Sequence, residues 1–143
     1  MKISAKAEYA CLAMLELAAQ RGKNQPVSIK AIAERHDISS GFLIQILLQL
    51  KGAGLAASSR GASGGYQLAR SPDAINLAEI IDAIDGPPRT TSALSSLPDS
   101  GLTRTILNTW QTVQHAERDI LEHLTLSELL SRARDVETLS YEI

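Results

Sequence analysis

Side chains able to do chemistry are few in this sequence, and their spacing disfavours catalysis. The single cysteine, Cys11, sits within an apolar stretch, reads as a core residue rather than a redox thiol, and can form no intrachain disulfide. His36, His115 and His123 lack metal-ligand spacing; the last two fall two turns apart on one helix, farther than one ion bridges. Asp82 and Asp85 lie near a helix end and are expected to face solvent. No nucleophile elbow, phosphate loop or dinucleotide fingerprint occurs. No catalytic residue, metal site or cofactor is therefore expected. What the sequence does offer is donors suited to phosphate and to base edges. Ser39, Ser40 and Gly41 stand at the start of a helix, where free N–H groups and partial positive charge attract phosphate. Gln45, one turn in, is a residue type that pairs bidentately with adenine, or else belongs to a solvated face. Ser28 and Lys30 open the preceding helix and suit backbone contacts. Arg60 begins the turn Arg60-Gly61-Ala62-Ser63-Gly64-Gly65 and suits a narrow minor groove, with Gly64-Gly65 expected to give the turn its reach.

The elements that must position these groups follow from hydropathy and punctuation. Ala5–Gln20 reads as a helix apolar nearly all round, hence buried on more than one face. A loop through Pro26 leads to Ser28, which caps a short helix over Ile29–His36. Asp37-Ile38 makes a tight turn. Ser39 or Ser40 caps the next helix, whose positions Phe42, Leu43, Ile46, Leu47 and Leu50 recur at helical spacing. Residues 54–59 and 66–69 read as two strands flanking the glycine-rich turn. Helix, turn, helix and hairpin in that order predict a mainly α chain with a winged helix-turn-helix and a two-stranded wing. A further helix over Leu77–Ile84 ends at Asp85-Gly86-Pro87-Pro88. Residues 87–101 read as a loop or linker. A long helix over Leu102–Leu124 then presents the stripe Leu102, Ile106, Trp110, Val113, Ile120 and Leu124, interrupted by Glu117. Its spacings resemble a coiled-coil seam, and one small domain cannot cover it, so homodimerisation is expected. Thr125 introduces a short last helix, with Glu128 at capping-box distance, before an acidic tail from Asp135. This gives a DNA-binding domain over 1–86, a linker over 87–101, and a dimerisation helix, short helix and tail over 102–143.

Charge supports that division. Residues 1–70 carry nine basic and four acidic side chains, whereas residues 71–143 carry five and twelve, within a net charge of −2. The first half suits phosphate and the second does not. With only 3% aromatic residues, stacking platforms for single strands are not expected, which leaves double-stranded DNA. No signal-peptide pattern or bilayer-length apolar run is read, so the cytoplasm is the expected address.

The chain resembles the Rrf2 family of bacterial winged helix-turn-helix regulators over nearly its whole length. The motifs that carry the resemblance are Met1-Lys2-Ile3-Ser4, the run from Ile38 to Leu47, and the wing from Arg60 to Tyr66, with weaker support from Asp85-Gly86-Pro87 and Thr125-Leu126-Ser127-Glu128-Leu129. The resemblance implies a dimeric regulator on a pseudo-palindromic operator, a repressor by the habit of the family. It places Arg60 and Gly61 at the minor groove, and Phe42 and Tyr66, within the motifs, on the DNA-binding surface. Two departures limit it. Family members carry an acidic residue before the glutamine of the recognition helix, where Ile44 stands here. The iron–sulphur members place three cysteines in the segment matching residues 87–108, and none is present here. In this the chain resembles the cluster-free cysteine-metabolism repressors of the family, which act with cysteine synthase. Partners of that enzyme insert a C-terminal isoleucine into its active site, and this chain ends in Tyr141-Glu142-Ile143. The resemblance therefore implies either capture of that tail, with regulation acting mainly through the enzyme, or an uninvolved frayed end.

Overall fold

A computed structural model describes residues 2–23, 25–61, 64–89 and 91–142, the last three by backbone alone. Of the motif residues, Met1, Ala62, Ser63 and Ile143 lie outside the described residues. The first apolar stretch forms helix α1 (Ala5–Gln20), capped by the Ser4 hydroxyl, which accepts from the Ala7 N–H at 3.0 Å. Its Ala7, Ala10, Ala13, Met14, Leu17 and Ala18 are buried. The alanines let neighbouring helices approach closely, and α1 is packed on several sides, as its nearly continuous apolar surface requires.

Helices α2 (Ile29–His36) and α3 (Ser40–Gly52) follow. Asp37 turns the chain between them in the left-handed conformation, φ 53°, a conformation that a short polar side chain tolerates. Ser39, rather than Ser40, is the cap of α3: its side chain accepts from the Phe42 N–H at 3.2 Å. Leu43, Ile46, Leu47 and Leu50 of α3 are buried against α1, and Ile32 of α2 joins them. Phe42 is half-buried, with its ring edge-on to Tyr9 at 5.6 Å.

Strands β1 (Ala56–Ser59) and β2 (Gly65–Leu68) pair antiparallel, Ala56 opposite Leu68 and Ser59 opposite Gly65. A short 3-10 turn (Pro72–Ala74) leads to α4 (Leu77–Asp85), capped by Asn76. Another such turn (Ala93–Ser96) lies within the predicted linker. Helix α5 (Gly101–His123) is long and has no buried residue.

Helix α6 (Leu126–Glu142) corrects the expectation of a short helix and an acidic tail. Charge alone suggested a tail, but the segment holds no glycine or proline and is rich in Leu, Glu and Arg, all good helix formers. Thr125 caps it as expected, its hydroxyl accepting from the Glu128 N–H at 3.1 Å. Leu126 is fully buried in the same core as α1 and α3. Backbone hydrogen bonds fix the corner between α5 and α6 to the start of α4: Leu77 N–H to the Leu124 carbonyl at 2.9 Å, and Leu126 N–H to the Ile75 carbonyl at 3.0 Å.

The two aspartates expected in solvent are both engaged. Arg118 on α5 grips Asp82 with both terminal nitrogens, at 2.9 and 2.6 Å, and gives its Nε to Glu122 at 2.9 Å. Asp85 accepts from the backbone and hydroxyl of Ser4. Sequence spacing could not show this, because α5 and the N-terminus close on α4 from distant parts of the chain.

Candidate nucleic-acid interface

The two serine caps set up the surface. Ser28 accepts from the Ala31 N–H at 3.1 Å, as Ser39 does from Phe42, so each hydroxyl satisfies one orphan donor of its helix. The first two N–H groups of α3, on Ser40 and Gly41, have no intrahelical partner. Ser39, Ser40 and Gly41 are all exposed, and a Cβ added at Gly41 meets nothing within 4 Å. The start of α3 is therefore an open cluster of donors at the positive end of a helix dipole, the arrangement that holds a phosphate. Gln45 is exposed one turn further on. Ser28 and Lys30 are exposed at the start of α2, with the Lys30 Nζ 4.0 Å from Glu34, a loose and solvated pair that phosphate can replace.

The wing is joined to these helices by backbone. Val27 and Tyr66 exchange two hydrogen bonds, N–H to carbonyl in each direction, both 2.8 Å. Strand β2 is thus seated beside the residue that precedes Ser28. The Lys51 Nζ donates to the Ser58 hydroxyl at 2.7 Å and ties the end of α3 to β1. Arg60 and Gly61 are exposed at the tip, Gly61 at φ +104°.

Gly64 and Gly65 have a different role from the reach expected of them. A Cβ at Gly65 would lie 2.3 Å from the Val27 carbonyl oxygen, and one at Gly64 would lie 2.5 Å from that of Ser59. They are glycines because other backbone presses against them, so they anchor the wing. Tyr66 is correspondingly buried, with 8% of its surface exposed, and packs in the core. The structure brings Ser28, Lys30, Ser39, Ser40, Gly41, Gln45, Arg60 and Gly61 to the surface. It holds Phe42 half-buried and Tyr66 inside.

Of the predicted stripe on α5, Leu102, Ile106, Trp110, Val113 and Ile120 are exposed, Leu102 at 84% and Ile120 at 61%; Leu124, at the corner, is half-buried. Tyr141 and Glu142 continue the backbone of α6, and Ile143 lies outside the described residues.

An iron–sulphur cluster does not fit the donors present. Cys11 is the only thiol of the chain and lines an apolar cleft of about 360 Å³ together with Leu12, Leu15, Leu77 and Leu121. Burial first, then the nearby charges of Glu8 and Asp85, push this thiol up to about 11, so it is protonated at neutral pH. A cluster rests on several thiolates. Among the described residues, no group of three or more His, Cys, Asp or Glu side chains stands together as a metal site, and no helix is long and apolar enough to cross a membrane.

Sequence reading passed over Val27, Lys51 and Leu48 and noted Ile44 only as a departure from the family pattern; Ile44 and Leu48 are both exposed on α3. Val27 is a lone bridge residue and carries no strand signal. Ile44 and Leu48 fall outside the inward spacing of Phe42, Leu43, Ile46, Leu47 and Leu50, and an aliphatic side chain carries no hydrogen-bonding signal for DNA.

A capped helix pair, a second helix with one exposed face and a hairpin seated beside them define a winged helix-turn-helix DNA-binding regulator. The chain belongs to the Rrf2 family, whose model, described as an iron-dependent transcriptional regulator, matches residues 3–132. It is 38% identical over 131 residues to the HTH-type transcriptional regulator CymR of Bacillus subtilis, which covers 92% of this chain and 91% of that one. It is 36% identical over 132 residues to IscR of Vibrio vulnificus, covering 92% and 78%. The solved structure of CymR, the global cysteine regulator of B. subtilis, matches with a TM-score of 0.80 at 35% identity, over 92% of this chain and 98% of that one. That of T. potens IscR matches at 0.76 and 34%, over 95% and 90%. Relatives and family are transcriptional regulators, not enzymes.

Proposed function

We propose that this protein is a cytoplasmic, sequence-specific repressor that binds a pseudo-palindromic operator as a homodimer and carries no iron–sulphur cluster. One observation carries the DNA-reading part: the open donors of Ser40 and Gly41 and the side chains of Gln45 and Arg60 are all exposed, on α3 and on a wing whose strand β2 is hydrogen-bonded to Val27 at the start of the helix pair. In this reading Ser28, Lys30, Ser39, Ser40 and Gly41 fix the register on phosphate, Gln45 reads a base edge, and Arg60 with Gly61 enters the minor groove. Phe42 and Tyr66 support the surface from behind. The exposed stripe on α5 supports the homodimer, because five apolar side chains including the sole tryptophan find cover in a two-fold copy. The protonated, solitary Cys11 supports the cluster-free reading. Similarity to a global cysteine regulator makes genes of cysteine metabolism the first targets to test.

Fluorescence anisotropy on the DNA upstream of its own gene tests the proposal, with unrelated duplex as competitor and at two salt concentrations. Wild type is expected to bind saturably and to resist competitor, with affinity falling steeply as salt rises. Arg60→Ala is expected to weaken binding by roughly tenfold or more. Equal loss of both proteins into competitor refutes specific recognition. A tail partnership with cysteine synthase draws its support from the resemblance to the cysteine regulators alone. Equal binding of the enzyme by C-terminal peptides with and without Ile143 removes it.

A further inference from the structure

The outer face of α3 is apolar where a solvated helix face carries charge. Ile44 is 43% exposed and Leu48 53%. One turn apart, they project from the same side. Gly41 and Gln45 are exposed with them, while Leu43, Ile46, Leu47 and Leu50 are buried. From Gly41 to Leu48 this face therefore offers one amide, two branched aliphatic side chains and no charge.

Scattered exposed aliphatics need no explanation. These two, however, share α3 and its neighbouring elements with groups suited to phosphate. The free N–H groups of Ser40 and Gly41 are at one end, Lys51 is at the other, and Lys30 and Arg60 stand on the flanking elements. An occupant with phosphates at its edges and apolar groups along its middle fits both parts. The major groove of B-DNA is such an object wherever it carries thymine, whose C5-methyl is its one apolar group. A groove lined only by G·C pairs offers these side chains nothing but polar edges.

We infer that Ile44 and Leu48 read thymine methyl groups, so that the operator carries T·A pairs under each recognition helix, with Gln45 on an adjoining adenine. This rests on the DNA-binding reading above and adds a base preference to it. The acidic residue common in the family at the position of Ile44 suits cytosine amino groups instead, so the preference belongs to this chain's own side chains.

Uracil tests it, since it keeps every pairing edge of thymine and lacks only the methyl. Duplexes are first selected by the wild-type protein from a randomised pool, and the enriched sequence is then remade with deoxyuridine for thymine. Anisotropy is expected to show about fourfold weaker binding per methyl lost, or roughly fifteenfold for one methyl in each of two half-sites. The double variant Ile44→Ala/Leu48→Ala changes exposed side chains only, and thermal melting confirms that it folds. It is expected to bind the thymine and uracil duplexes equally. Wild-type binding that ignores uracil overturns the inference. So does a double variant that still prefers thymine, because the methyl would then act through DNA shape or another residue. Failure of the pool to enrich any sequence removes the DNA-reading role of α3 itself, an outcome distinct from an enriched sequence that is insensitive to uracil.

Discussion

Substituting Gly65 by alanine changes one methyl group, at the place where the wing meets the helices. The added Cβ would lie 2.3 Å from the Val27 carbonyl oxygen and 2.5 Å from its carbon, more than 1 Å inside ordinary contact, which is roughly 3.5 Å or more. Both partners are backbone, so neither can rotate away. Strand β2 has to lift from Val27 and break the two 2.8 Å hydrogen bonds between Val27 and Tyr66. Each contributes about 1 kcal/mol net, and partial unseating of the buried Tyr66 ring adds to that. The sum is roughly 2–4 kcal/mol, equivalent to a fall in Tm of about 10 °C for a chain of this size at fixed protein concentration. Thermal unfolding followed by far-UV circular dichroism measures it. The helices lie elsewhere, so the native spectrum is expected to stay helical while DNA affinity falls with the displaced Arg60. Gly41→Ala is the control: its Cβ meets nothing within 4 Å, so the fold keeps or slightly gains stability, and any loss of DNA binding comes from crowding the phosphate. A Gly65→Ala protein that melts within 2 °C of wild type, or binds DNA unchanged, would refute the view that these glycines anchor the wing.

Two further outcomes follow from the same structure. Trp110→Glu places a charge in the exposed stripe of α5 and occurs twice in a two-fold interface, so dimer affinity is expected to fall by about 4 kcal/mol, near a thousandfold; sedimentation velocity reads this directly, and a variant that remains dimeric at micromolar concentration removes α5 as the interface. Cys11, with its thiol raised to about 11, holds about one thiolate in a thousand at pH 8; iodoacetamide labelling of the native protein is expected to be slow there and to accelerate as pH rises toward 11, whereas labelling as fast as in the unfolded chain would show an accessible, ordinary thiol.

Local signals made most of the architecture legible. Ser28, Ser39 and Thr125 each stand three residues before the N–H they cap, a short-range spacing that sequence shows at Ser28 and Thr125 and narrows to Ser39 or Ser40 at α3. The apolar spacing of α3 and the stripe of α5 are likewise visible within one element. What escaped depends on pieces of chain far apart in sequence. Gly65 looked like a source of flexibility because Val27, which crowds it, lies 38 residues away. Asp82 looked solvated because Arg118 arrives on another helix. The segment after Asp135 looked like a tail because its charge was weighed above its helix-forming composition. Among the proposed contacts, Arg60 and Gln45 were picked out by chemical type, and both are exposed. Leu48, outside the inward spacing of α3, went unremarked because an aliphatic side chain carries no hydrogen-bonding signal for DNA.

The corner between α5 and α6 is stitched to the start of α4 by two backbone hydrogen bonds, and Arg118 clasps α4 from the α5 side. Three fastenings leave the long helix little freedom to swivel on its own domain. In the proposed dimer the two reading heads then behave as the jaws of a fixed caliper. One base pair inserted between half-sites turns one of them by roughly 35° about the duplex axis, and a rigid caliper cannot follow. The correction falls on the twist of the DNA, so such a dimer would measure the phase between its half-sites as well as their letters.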